Sequence, residues 1–343
     1  MTAEAPRATI HDVARLAGVA PSTVSRAMTG GVVSPATRQA VLAAAGRLGY
    51  RPNRQAQGLV TGRTGTLGLV VPDLRNPFFG DVAKGVSVRA RALDIQVFIA
   101  DTDEEQPAEL EAIGSLLGAV DGLLLCSPRA GDDELAAVLG SQPAVAIHRA
   151  VPGLPSVVAD LVDGTHQATA HLHALGHRRI GFVRGPRTSW AAAQRWTGVD
   201  DLPDVELLPF GPVAPTFDGG VAAADLVLAS GATAVIAYND LVALGLLHRF
   251  AARGVRVPDD LSVVGYDDVA VASMVSPPLT TVVVPQERAG AAAVDLMLRR
   301  LAAPAGAEPE QLLLATRLAV RGSTAVVHPA GPSGGGGRGT ARR

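Results

Sequence analysis

Apolar positions near the start of the chain recur at helical spacing. Ile10, Val13, Ala14 and Ala17 form one stripe. Gly18 then supplies a helix stop, and apolar Val19 fills the corner. Ala20-Pro21 restarts the chain with a proline suited to a first helical position. Val24, Ala27 and Met28 make the second stripe, which leaves Ser22, Thr23, Ser25 and Arg26 facing outward. A third helix opens at Ser34-Pro35-Ala36-Thr37-Arg38 and buries Val41, Leu42, Ala45 and Leu48 before Gly49 ends it. Two short helices about a tight turn predict a helix-turn-helix, whose second helix enters the DNA major groove. Arg26 suits a guanine edge or a phosphate, and Ser22 and Thr23 suit base edges or phosphates. The plainer alternative is a small helical cap with a polar surface. After the turn Tyr50-Arg51-Pro52-Asn53, residues 53–63 form a short stretch containing Gly58, marginal as a helix on its own.

From residue 65 the pattern changes to short apolar runs alternating with helical stretches. Strands are expected at Thr66–Val71, Ile95–Ala100, Gly122–Cys126 and Ala144–Ile147, with helices at Phe79–Leu93 and Pro107–Leu117. The series restarts near residue 160. A helix at Gly164–Leu175 precedes strands at Arg179–Val183, Thr233–Ala237 and Leu261–Val264, with a helix at Leu241–Arg253 before the last. Such alternation predicts two doubly wound α/β lobes with parallel sheets. Ligands of such folds bind at strand carboxyl ends, here the cleft between lobes.

Charge sharpens the picture. Residues 1–63 carry eight arginines against two acids, a net of +6, which leaves the remainder with 22 basic and 30 acidic residues, −8. A basic head on an acidic body fits a DNA contact confined to one end. The 343 residues and 48% hydrophobic content suffice for a headpiece and a two-lobed core. The first 20 residues lack a continuous apolar run and no stretch reaches a membrane span, so a cytoplasmic protein is expected. The lone Cys126 excludes a disulfide framework within the chain. No nucleophile elbow, P-loop or dinucleotide fingerprint occurs, so no enzyme and no cofactor are expected. His173 and His177 lie four apart, but Gly176 interrupts them and no carboxylate or cysteine completes a set, so no metal site is expected.

The strings Thr-Ile-His-Asp-Val-Ala-Arg-Leu-Ala-Gly-Val from Thr9, Ser-Thr-Val-Ser-Arg-Ala from Ser22, Gly-Tyr-Arg-Pro-Asn from Gly49 and Thr-Gly-Arg-Thr from Thr61 resemble the headpiece and hinge of the LacI/GalR family of bacterial transcription regulators. Asn76-Pro77-Phe78-Phe79, Gly185-Pro186, Asn239-Asp240 and Val263-Val264-Gly265-Tyr266-Asp267-Asp268 are similar to the family's core, itself similar to periplasmic sugar-binding proteins. The resemblance implies a helix-turn-helix domain over 1–52, a hinge over 53–63, a two-lobed effector and dimerisation domain over 64–329 and a tail over 330–343, Gly-rich and read as disordered. Lobe one takes about 64–162 plus 284–305, and lobe two about 163–283 plus 306–329. It further implies a homodimer on a near-palindromic double-stranded operator, probed by Thr9, Pro21, Ser22, Thr23, Ser25, Arg26, Arg38, Tyr50, Asn53, Arg54 and Gln57. Leu59 falls at the hinge leucine that wedges into the minor groove; the alternative is an ordinary linker residue.

By the same resemblance a small-molecule effector, a sugar above all, meets Asp73, Phe78, Phe79, Arg195, Asn239 and Asp267. Each has a plainer alternative. The phenylalanines could be core, Asn239 or (the favoured choice) Asp240 could cap the following helix, Arg195 and Asp267 could merely salt-bridge across the lobes, and Asp73 could close a turn. The chain also departs from the family. His148-Arg149 stands where Asp-Arg is common, Pro215 and Phe217 occupy a region often given to a sugar-stacking aromatic, and the connection after Gly198 is short. An altered or silent pocket, or one for a purine or sugar phosphate, is therefore the alternative to a plain sugar.

Overall fold

A computed structural model describes residues 8–28, 31–50, 64–199, 204–304 and 306–327. The chain divides into two compact units, residues 1–65 and 66–343. The hinge residues Asn53, Arg54, Gln57 and Leu59, and the tail, lie outside the described residues.

The first unit holds α1 (Ile10–Ala17), α2 (Pro21–Met28) and α3 (Pro35–Leu48). Thr9 and Asp12 cap α1 reciprocally, and Gly18 closes it at φ 69°. Ser34 caps α3, whose end at Gly49 is again left-handed. Val13, Val24 and Val41 are fully buried and hold the three helices together with Ala14, Ala27, Ala44 and Ala45. Leu42 and Leu48, expected inside, are 52% and 37% exposed. Ala44 takes the inward position, because a core this small admits alanines where larger residues would force the helices apart.

The second unit contains two sheets of six strands each. The first is built from β1 (Thr66–Val71), β2 (Gln96–Asp101), β3 (Gly122–Cys126), β4 (Ala144–Ile147), β5 (Ser156–Ala159) and β11 (Gln311–Leu314), in the order β11-β5-β4-β3-β1-β2, parallel throughout. The second is built from β6 (Arg179–Val183), β7 (Glu206–Phe210), β8 (Ala234–Ile236), β9 (Ser262–Asp267), β10 (Thr280–Val283) and β12 (Arg317–Ala319), in the order β12-β10-β9-β8-β6-β7, with only β12 antiparallel. Helices α4 (Pro77–Ala92), α5 (Gln106–Leu116), α6 (Asp132–Leu139) and α11 (Gln286–Ala302) pack with the first sheet. Helices α7 (Leu161–Ala174), α8 (Trp190–Thr197), α9 (Phe217–Ala229) and α10 (Asp240–Ala252) belong with the second. The central strands are buried on both faces, which is why they read as continuous apolar runs.

The chain passes between the sheets three times, after β5, after β10 and after β11. The expected lobe boundary needs correction at the last of these. Residues 306–314 do not belong wholly to lobe two, because β11 pairs with β5 along Gln311 to Leu314 and completes the first sheet. The crossings are laced together. Thr316 Oγ1 donates to the Asp160 carbonyl at 2.9 Å, and the Gln167 side chain bonds both Thr316 O and Leu318 N. The short connection after Gly198 still delivers a complete edge strand, with β7 in register against β6 from Arg179↔Glu206 to Val183↔Phe210.

Candidate functional site

Strand carboxyl ends from both sheets converge on a cleft of about 400 Å³, a volume that includes space open to solvent. Four of its residues, Glu104, Ser127, His148 and Asp267, are non-glycine residues with positive φ, between 46° and 114°. Such backbone is sparsely populated by L-residues and gathers where side chains are aimed for function.

Arg195 comes from the second turn of α8, which Ser189 caps. Its Nη2 donates to Asp267 Oδ1 at 2.8 Å, and its Nη1 donates to the carbonyl of Tyr238. The guanidinium lies 3.9 Å from the Tyr266 ring centroid and 4.8 Å from that of Tyr238. Burial works against the Arg195 charge, yet Asp267 and the two phenols more than offset it, so the group stays charged. Burial pushes the Asp267 carboxyl up to about 6, with Arg195 opposing. The pair is therefore ionised at neutral pH.

The opposite wall belongs to the first lobe. Phe78 and Phe79 open α4, their centroids 5.1 Å apart and nearly perpendicular, and Phe78 also packs on His148 at 4.9 Å. They line the cleft and are core residues at once. Arg129 is gripped by Glu104 through two bonds of 2.6 and 3.0 Å. Burial, helped by Arg195, lowers the His148 pKa to about 3, so the imidazole is neutral.

Of the six expected effector contacts, Phe78, Phe79, Arg195, Asn239 and Asp267 meet in the cleft, and Asp73 does not. The Asp73 carboxylate binds the backbone and guanidinium of Arg75, because it closes the turn after β1. Asn239 has a double duty. Its Oδ1 caps α10 by accepting from Val242 N, and its Nδ2 donates to Pro215 O. The cap is thus Asn239 and not Asp240, whose carboxylate is turned inward to Thr281 and the Val269 amide. Glu104, Ser127, Arg129 and Tyr238 were not anticipated. Their signal was position, just past the carboxyl ends of β2, β3 and β8.

The headpiece residues divide similarly. Ser22 and Arg26 are exposed on α2, with Arg26 reaching back to Ser22 O and Thr23 Oγ1. Pro21 opens that helix. Ser25 is half-buried on it. The Thr9 hydroxyl is engaged in the α1 cap. Arg38 clamps the carbonyls of Ala27 and Gly31, so it holds the α2–α3 turn together. Tyr50 packs against the helical core. His177 has both ring nitrogens within hydrogen-bond reach of Thr233 and Ala325.

Residues 9–53 match the family described as bacterial regulatory proteins, lacI family. Residues 169–324 match the periplasmic binding protein-like domain. The transcriptional regulator CelR of Thermobifida fusca is 38% identical over 340 residues, covering 92% of this chain and 98% of CelR. The chain belongs to the LacI family. The regulator DegA of Bacillus subtilis is 34% identical over 299 residues, 83% of this chain and 89% of its own. A solved CelR–cellobiose complex superposes with a TM-score of 0.68 at 36% identity, over 92% of this chain and all of that one. The lac repressor dimer bound to operator and the anti-inducer ONPF gives 0.82 at 29% identity, over 93% and 100%. This LacI-family protein is a DNA-binding transcriptional regulator, and its named relatives are regulators rather than enzymes. Among the described residues no helix is long and apolar enough to cross a membrane.

Proposed function

We propose that this regulator is a cytoplasmic repressor, not an enzyme, that binds its operator as a homodimer and is controlled by a saccharide held between its lobes. The observation that carries the proposal is the Arg195–Asp267 pair, 2.8 Å apart and almost wholly buried, facing two phenylalanine rings across an enclosed cleft. A guanidinium and a carboxylate side by side offer donors and acceptors to neighbouring hydroxyls, and the rings offer a face for the apolar side of a sugar. The solved CelR complex holds cellobiose. Dimerisation is supported by exposed apolar residues at the free edge of the first sheet, where β2 carries Phe98 and Ile99 and α4, which packs with it, carries Val88, each 44–52% exposed. Ser22, Thr23, Ser25 and Arg26 read the half-site from α2, and Asn53, Arg54, Gln57 and Leu59 serve the hinge.

The test is operator binding, measured with and without a panel of saccharides, in the protein and in Arg195→Lys. Lysine keeps the charge opposite Asp267 but loses the planar fork. Operator affinity in the absence of sugar should persist while the sugar response disappears. A response unchanged in Arg195→Lys removes this cleft from effector control.

A further inference from the structure

Two buried side-chain polar atoms stand without a hydrogen-bond partner among the described residues: His148 Nε2 and Arg195 Nε. Both residues line the same cleft, one from each lobe. An unpartnered buried polar group is costly, and native proteins retain such groups chiefly where something else completes them. Arg195 Nε can only donate. His148 Nε2, on a neutral ring, accepts or donates according to tautomer. A hydroxyl oxygen can meet either need, accepting from Nε–H and donating to, or accepting from, the imidazole.

The charges of the wall narrow the ligand further. Its formally charged residues are Glu104, Arg129, Arg195 and Asp267. They pair within their own lobes, Arg129 with Glu104 and Arg195 with Asp267, which leaves no guanidinium uncompensated. Burial keeps His148 neutral and so adds no positive charge. An anionic ligand would enter this enclosure with nothing to balance it.

Resting on the saccharide reading above, we propose that His148 is a specificity-determining residue which, with the free Nε–H of Arg195, takes hydroxyls of an uncharged polyhydroxylated ligand and discriminates against phosphorylated ones. His148 occupies left-handed backbone at φ 57°, so the strand end itself aims the ring. Its own amide is tied to Val157 O, which fixes the base of the side chain in the sheet.

The experiment uses the full chain and titrates glucose, ribose, galactose and cellobiose against glucose 6-phosphate and ribose 5-phosphate by calorimetry. A neutral sugar should bind at least about tenfold more tightly than its phosphate. His148→Leu is then compared with wild type across monodeoxy analogues of the best binder. Removing one particular hydroxyl should cost wild type about tenfold and the variant almost nothing. If His148→Leu does not fold, His148→Asn tolerates the left-handed backbone and serves in the same comparison. Equal weakening of every analogue by the variant assigns His148 a packing role and overturns the inference. Tight binding of a sugar phosphate overturns it while leaving effector control intact. Failure of every sugar, charged or neutral, with operator binding preserved defeats the effector reading itself, and the inference with it.

Discussion

Burial decides what His148 can do. Its ring is 3% exposed and titrates at about 3 instead of the ordinary 6.5. The folded state therefore refuses a proton that the unfolded state accepts. The contribution is undiminished above pH 6.5 and is lost progressively as the pH falls towards 3, at no more than about 1.4 kcal/mol per pH unit. Asp267 runs the other way. With its carboxyl raised from 3.8 to about 6, the folded state gains relative stability as the pH falls through that window. Absolute pH curves mix the two, so the useful quantity is the difference between wild type and His148→Asn. Denaturant melts at pH 7 and pH 5 should show wild type losing stability relative to the variant on acidification. Parallel curves would mean that the imidazole is solvated and protonates freely. None of this was visible in the chain itself. The sequence places His148 at the end of an apolar run, but a histidine's surroundings come from Phe78 and Arg195, which are distant in the chain.

At the scale of elements, α8 is the part on which the cleft depends most. It has only eight residues and opens on Ser189, whose Oγ accepts from Ala192 N at 3.2 Å and meets the Tyr238 hydroxyl at 2.9 Å. One hydroxyl thus caps the helix that carries Arg195 and steadies a cleft tyrosine. Ser189→Ala should cost about 1 kcal/mol and lower the melting temperature by about 2–4 °C. Saccharide affinity should fall severalfold alongside, as calorimetry would register. A lower melting temperature with unchanged affinity would separate the cap from the site. Elements such as Gly122–Cys126, Ala144–Ile147 and Arg179–Val183 were legible to the residue, because a strand buried on both faces announces itself as an apolar run bounded by polar ones. The pairing of β11 was not legible. Gln311–Leu314 is a plausible strand by composition, but which of two sheet edges it joins is fixed by contact with β5, some 150 residues earlier.

In the whole molecule Tyr266 joins the cleft to the first crossing. Tyr266 lies beneath the Arg195 guanidinium and donates its hydroxyl to Leu161 O at 2.9 Å, just past the first crossing. Gly164 leaves room for it, since a Cβ there would stand 2.5 Å from that hydroxyl. A ligand that shifts Arg195 must therefore also be felt at the place where the lobes are joined. Tyr266→Phe retains the ring and removes the link. Sugar affinity should stay within about threefold, while the sugar-dependent change in operator affinity shrinks. An undiminished change, read by fluorescence anisotropy on operator DNA, would route the coupling elsewhere. The sequence allowed two lobes and a cleft to be expected, together with five of the residues that line it, Phe78, Phe79, Arg195, Asn239 and Asp267. Asp73 was open to two readings, a cleft contact or a turn, and the sequence could not choose the turn, because the Arg75 that captures it offers no pattern to distinguish it from any surface arginine.

The three crossings have a consequence for the order in which the molecule can be made. The headpiece is complete in the chain by residue 50, yet neither sheet can close its far edge until β11 and β12 are present, at residues 311–319. A polypeptide halted shortly before that point would own every helix of the reading head and most of both lobes. It would still present β5 and β10 as bare edges, the kind that recruit neighbouring chains into aggregates. These two strands thus act as the seal on both lobes at once, and a stop codon just before them would be felt far more heavily than its position suggests.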